Sequence, residues 1–153
     1  MKENFSINFI KILLVLIVFV CGIMLFQFGL MGLFAPKELF HNISSILASL
    51  LIIAVYLVIA WNLLKIVYSI ESSPFTLKNV KSFKIIGYLM IFLSIIDGIA
   101  NFKKKTNFEI IGIRYGSIKG SCILYLVLGL MALVLAEIFK KAVKIKNEND
   151  LTI

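Results

Sequence analysis

Side chains that could carry out chemistry are scarce in this chain of 153 residues. Its one histidine, His41, has no second histidine or orienting acid in a pattern typical of metal binding or nucleophilic catalysis. The two cysteines, Cys21 and Cys122, are too few for an iron–sulfur site, and they fall at different expected depths, so we expect no disulfide between them. Phosphate-binding glycine loops, Walker lysine motifs and HExxH motifs are absent from the sequence. We therefore expect no metal, no cofactor and no enzymatic activity.

Two acids lie in or near long apolar stretches, where ionisable groups are candidates for function. Asp97 either meets water at the end of its stretch or faces a cation, such as Lys103 or a permeating ion. Glu137 precedes the pair Lys140–Lys141 and falls at the expected depth of Lys65, which favours a structural ion pair over a proton or cation relay. Both acids therefore remain candidate intramembrane sites.

The elements that must position these groups follow from composition. Hydrophobic residues make up 61% of the chain and charged residues 16%, with a mean hydropathy of +1.03. A soluble domain of this size buries only about 70% of its unfolded surface, which leaves too few polar residues to cover such a core. The sequence therefore predicts an all-α membrane protein whose four transmembrane helices form an antiparallel bundle in a single domain. The expected spans, with a helical extension on the last, are 12–35, 43–66, 82–101 and 121–146.

The first span could be mistaken for a secretion signal. A signal's apolar region is about 7 to 15 residues long and ends at a cleavage site, whereas this one continues past Gln27 to Pro36. We expect it to be retained.

Basic residues predict the orientation of these helices. Ten fall at the N-terminus, between spans two and three, and in the tail: Lys2, Lys11, Lys65, Lys78, Lys81, Lys84, Lys140, Lys141, Lys144 and Lys146. Six fall in the other connections: Lys37, Lys103, Lys104, Lys105, Arg114 and Lys119. The positive-inside tendency then places both termini in the cytoplasm, in a cytoplasmic membrane with anionic headgroups.

Polar and small residues within the spans predict helix packing. Gln27 and Asn62 are each expected to form a hydrogen bond across a helix interface. Small faces are formed by Ser45, Ala48 and Ser49 on span two and by Ala132 and Ala136 on span four. Internal packing and homo-oligomerisation are both open alternatives for these faces.

The inner connection has the pattern of a helix start. Pro74 disfavours helix at the residue before it, Thr76 can cap the helix from about Leu77, and Phe75 and Val80 are spaced as a hydrophobic staple. The lysines that follow at intervals of three either anchor lipid headgroups or dock an acidic cytoplasmic partner.

The outer connection and the tail offer further alternatives. Within the outer loop 101–120, residues 108–115 favour either a short hairpin or an interfacial segment, packed on the bundle's outer mouth. In the tail, Ile138, Ala142 and Ile145 share one helix face, and residues 147–150 are expected to break that pattern. The last three residues either add to a partner's sheet edge or fray.

Two patterns resemble a known family. The run Ser73–Asn79 followed by Ile85–Tyr88, and the ending Leu135–Lys141 with Glu148–Ile153, are similar to the family catalogued as domain of unknown function 2975, which comprises small bacterial membrane proteins. The family has no established activity. Its genes often neighbour one for a small Cro-type helix-turn-helix regulator, so the resemblance implies a membrane partner of a transcription factor.

The preferred hypothesis is a non-enzymatic regulatory or sensory membrane protein that contacts such a regulator and makes no direct contact with nucleic acid. The alternative is a small transporter or channel subunit that uses Asp97 or Glu137. The expected cytoplasmic interaction surface comprises Pro74, Phe75, Thr76, Asn79, Glu148, Asp150, Leu151, Thr152 and Ile153.

Overall fold

The described residues form four long helices and one hairpin. The computed structural model describes residues 2–34, 43–103, 109–113 and 115–150. In chain order the elements are α1 (Lys2–Phe34), α2 (Ile43–Ile70), α3 (Leu77–Asn101), β1 (Glu109–Ile113), β2 (Gly116–Lys119) and α4 (Gly120–Asp150). Each helix is long and apolar enough to cross a membrane, so the predicted all-α membrane architecture with four spans is confirmed.

Several helices extend beyond their apolar runs. The 25 residues of α3 cover about 38 Å, so the short third apolar run belongs to a helix that exceeds the roughly 30 Å hydrocarbon layer. The last helix, α4, continues to Asp150, four residues past the expected span that ends at residue 146. An ion pair between Lys144 and Glu148, 3.7 Å apart and one turn removed, supports these last turns.

The chain divides into two compact units, residues 1–71 and 72–153. In the first unit α1 packs against α2, and Leu14 forms a small core with Leu64 and Val67. Lys11 lies one turn before Leu14, and Glu71 lies one turn after Val67. The Lys11 ammonium group is 2.7 Å from the Glu71 carboxylate. Because contacts run in opposite directions along the two helices, α1 and α2 are antiparallel.

The second unit is built on a close crossing of α3 and α4. A Cβ atom placed on Gly129 would lie 2.9 Å from the carbonyl oxygen of Gly87, so the two backbones touch at this point. One to two turns further along α4, Ala132 and Ala136 are buried, as their small side chains suggested. Glycine and alanine thus let the two helices approach without an intervening side chain.

The outer connection contains the antiparallel hairpin that was one of its two predicted alternatives. Gly112 pairs with Ser117, and Ile113 pairs with Gly116. The hairpin rests on the end of α3, where the Ser117 amide donates to the Phe102 carbonyl oxygen over 2.9 Å. A Cβ atom on Gly116 would lie 2.4 Å from the Phe102 ring, so only glycine permits this contact.

Candidate interaction surface

The inner connection ends in a capped helix start, as predicted. Thr76 has extended backbone angles (φ −132°, ψ 151°), and its hydroxyl oxygen accepts from the Asn79 amide over 3.4 Å. The Asn79 side chain is buried and donates back to the Pro74 carbonyl oxygen over 2.7 Å. These bonds fix the backbone of Pro74 and Thr76 against the first turn of α3, so Phe75 between them is held in a defined position.

Phe75 joins the inner connection to the last helix. Its ring centroid lies 5.7 Å from that of Phe139, which also contacts Phe83 at 5.0 Å. Beyond this aromatic cluster an open groove of about 370 Å³ lies on the second unit. We call it the Phe75 groove, and it is lined by Phe75, Ala142, Ile145, Lys146 and Asn149. Two segments that the sequence singled out separately therefore contribute to one surface.

One lysine lines the Phe75 groove, and others lie near its lining residues in the sequence. Lys146 lines it, Lys141 lies one helical turn before Ile145, and Lys78 follows Phe75 by three residues. Among the described residues, none of these three lysines, nor Lys81, forms an ion pair, and all four are exposed. Lys146 therefore places a positive charge at the groove itself, and the other three lysines lie near its lining residues in the sequence.

Glu137 is held at the surface by two lysines. Its carboxylate lies 3.1 Å from the Lys84 ammonium group on α3 and 3.8 Å from that of Lys140 on α4. Lys84, which the sequence did not single out as a partner, is the closer of the two, and Lys65 instead lies over the Trp61 ring at 5.7 Å. The carboxylate is about half exposed, so this network ties α3 to α4 without burying a charge.

Asp97 lies at the other end of the α3–α4 pair and accepts two hydrogen bonds. The Asn101 amide donates to one carboxylate oxygen over 2.7 Å, and the Ser121 hydroxyl donates to the other over 2.6 Å. Asn101 and Ser121, rather than Lys103, are thus its partners. One turn earlier, the Ser94 hydroxyl donates to the Cys122 carbonyl oxygen over 2.8 Å. The arrangement fixes the register of the two helices.

The remaining polar candidates do not converge on a site. The Asn62 amide is buried but donates within its own helix, to the Val58 carbonyl oxygen over 2.8 Å, instead of across an interface as the sequence suggested. Gln27 is exposed on α1. Ser45 and Ala48, which belong to the small face predicted on span two, are exposed.

Three predicted site residues, Leu151, Thr152 and Ile153, lie outside the described residues, as does the single histidine, His41, and the side chain of Asp150 is likewise not described. Glu148 is exposed and paired with Lys144. Cys21 and Cys122 are both free thiols. Across residues 2–34, 43–103, 109–113 and 115–150, no three His, Cys, Asp or Glu side chains come together in a group that could hold a metal ion.

Sequence reasoning missed two features of the second unit. The contact between Gly87 and Gly129 was not predicted, although glycine in the middle of two spans is a signal for close helix approach. Lys119 was counted as an outer surface charge, yet it is buried and donates to the Ser117 hydroxyl over 2.8 Å.

Comparison with known proteins gives one informative match. A family model described as "Protein of unknown function (DUF2975)" matches residues 34–153, which include most of the four-helix region and the whole Phe75 groove. No curated protein and no solved structure matches the chain.

Proposed function

Because the chain belongs to the DUF2975 family, whose function is unknown, we propose a function from its own residues together with the partner that the family resemblance implies: a non-enzymatic, multi-pass protein of a bacterial cytoplasmic membrane that binds a small helix-turn-helix regulator. Both termini and the Phe75 groove face the cytoplasm in this proposal, in agreement with the excess of lysine near those segments. The chain itself makes no contact with nucleic acid.

One observation carries the proposal. Phe75 of the inner connection contacts Phe139 and lines a groove with Ile145 and Lys146 of α4, so two segments that the positive-inside count assigns to the cytoplasm contribute to one surface. Phe75 and Ile145 are 46% and 58% exposed. Large apolar side chains clustered at an exposed surface beside charge are typical of a protein-binding or membrane-binding site, and the proposal assigns this one to a protein partner.

The transport alternative has less support from the side-chain contacts. Both carboxylate oxygens of Asp97 accept hydrogen bonds from within the chain, and Glu137 is paired with Lys84 and Lys140. Each acid therefore has a structural role that accounts for its presence in a span.

Co-purification tests the proposed function. The tagged full-length chain is co-expressed with the helix-turn-helix regulator from its own gene neighbourhood, extracted in mild detergent and purified. We expect the regulator to be retained by the wild-type chain and by the control variant Phe34→Ala, which removes an exposed ring far along the sequence. Phe75→Ala, checked for equal membrane expression, should lose most of it. Absence of the regulator from the wild-type preparation would refute the proposal.

A further inference from the structure

We infer that the Phe75 groove binds an acidic amphipathic helix of the partner, with apolar side chains in the groove and carboxylates on Lys146 and the exposed lysines near it in the sequence. This inference rests on the proposed function and specifies the chemistry of the partner at the same surface. Its first support is the groove itself. Phe75, Ala142 and Ile145 provide an apolar floor. A groove of about 370 Å³ that is open along one side can accept the side chains of a helix lying across it.

The second support is charge. Lys78, Lys81, Lys141 and Lys146 are exposed and make no ion pair in the part of the chain that the structure describes. Two carboxylates are described at this end of the second unit, those of Glu137 and Glu148. Both are already paired with other lysines. A complementary ligand therefore carries negative charge beside its apolar face, which aligns it and accelerates its association.

The third support is the distance of the groove from the other end of α4, and it favours protein over lipid. If Ser121 lies at one edge of the hydrocarbon layer, Ile145 lies about 36 Å away along the helix and Asn149 about 42 Å away. The hydrocarbon layer with one headgroup layer measures roughly 35 to 37 Å. Ile145 and Lys146 then lie at the headgroup layer and Asn149 lies beyond it, so all three are past the hydrocarbon layer and its acyl chains.

A peptide-binding experiment tests this inference without the regulator. The full-length chain is placed in nanodiscs of zwitterionic lipid, and a fluorescent helical peptide with leucine at i, i+3 and i+7 and four flanking glutamates is titrated by anisotropy. A matched peptide has glutamine in place of glutamate. We expect the acidic peptide to bind at least tenfold more tightly than the glutamine peptide, and its affinity to fall about tenfold between low and 0.5 M salt.

Variants localise the binding. Lys146→Gln should weaken the acidic peptide about threefold, as for one exposed charge pair, and Ala142→Phe should fill the groove and weaken it more than tenfold. Lys144→Gln is the matched control, because Lys144 lies on the same helix, is paired with Glu148 and does not line the groove. It should bind as the wild type does.

Three results would overturn the inference: equal binding of both peptides, equal loss in Lys146→Gln and Lys144→Gln, or loss of peptide binding when phosphatidylglycerol nanodiscs replace zwitterionic ones at constant salt. The last would make the groove a lipid-headgroup site.

The two proposals fail separately. If the regulator co-purifies equally with the wild type and with Ala142→Phe, the groove is not its docking site but the proposed function stands. If the acidic peptide binds as expected and no regulator co-purifies, the groove binds acidic helices but the proposed function fails.

Discussion

Replacing Gly129 by alanine tests the packing that positions the Phe75 groove. The added Cβ would lie 2.9 Å from the Gly87 carbonyl oxygen and 3.1 Å from the Ile91 amide nitrogen. Both are backbone atoms, so the clash cannot be relieved by rotating a side chain, and α3 and α4 must move apart. Overpacking of this kind costs about 1 to 3 kcal/mol. Alanine in place of glycine within a helix returns about 0.8 to 1 kcal/mol.

The net expectation for Gly129→Ala is a loss of about 1 kcal/mol in the free energy of unfolding. Gly22→Ala is the matched control, because nothing lies within 4 Å of a Cβ atom at Gly22. That variant should be unchanged or stabilised by up to about 1 kcal/mol. The two variants should therefore differ by about 2 kcal/mol, measured as unfolding midpoints in detergent titrated with sodium dodecyl sulfate.

Gly87→Ala provides a second check on the same crossing. Its added Cβ would lie 2.6 Å from Leu133 side-chain atoms and 3.0 Å from the Gly129 carbonyl oxygen. Truncating Leu133 to alanine should recover part of the stability lost in Gly87→Ala, because it removes the nearer contact. If Gly129→Ala proved as stable as Gly22→Ala, and Leu133→Ala gave no recovery, the backbone contact between α3 and α4 would be refuted.

Three further perturbations address the polar contacts. Thr76→Ala should lower the free energy of unfolding by about 0.5 to 1 kcal/mol through loss of the α3 cap, and Thr76→Ser should restore it, as measured by the same unfolding titration. Asp97→Asn and Ser121→Ala should each lower the free energy of unfolding by about 1 kcal/mol, and the two losses should be non-additive in a double-mutant cycle. Neither variant should change solute flux in liposomes. Lys11→Met and Glu71→Gln should each cost less than about 1 kcal/mol, and the loss should shrink in high salt.

Each of these perturbations has a result that would contradict it. Retention of full stability in Thr76→Ala would mean that the 3.4 Å bond does not cap α3. Strict additivity of the Asp97 and Ser121 variants would deny their contact, and a change in flux would favour the transport alternative. A salt-independent loss in Lys11→Met would point to lost packing on Tyr68, 5.0 Å away, instead of a lost ion pair.

The four helices and the start of α3 were predictable from the sequence, because length, apolar composition and capping are local properties, whereas the extensions of α1 and α4 beyond their apolar runs were not. The Thr76 cap and the start of α3 at Leu77 follow from the types of a few neighbouring residues. The hairpin was predicted only as one of two alternatives. A two-stranded hairpin is marginal by itself, and the contact with Phe102 that supports this one was not visible in the sequence pattern.

Helix register and the partners of polar groups were not predictable. In lipid, the outward face of a helix is as apolar as its packed face, so residue type does not show which side contacts protein. For this reason Ala136, with no exposed surface, and the exposed Ala48 looked alike in sequence. The pairing of Glu137 with Lys84 likewise depends on the register that Gly87 and Gly129 set between two helices.

The most direct test of the proposed function is the accessibility of the Phe75 groove from each side of the membrane. A single cysteine at Lys146→Cys, in a chain whose Cys21 and Cys122 are replaced by serine, is treated with a membrane-impermeant maleimide in intact cells and in inverted membrane vesicles. We predict labelling in the inverted vesicles alone, and protection from it when the purified helix-turn-helix regulator is added. Labelling in intact cells, or labelling of vesicles that the regulator leaves unchanged, would contradict the proposal that this surface binds a cytoplasmic regulator.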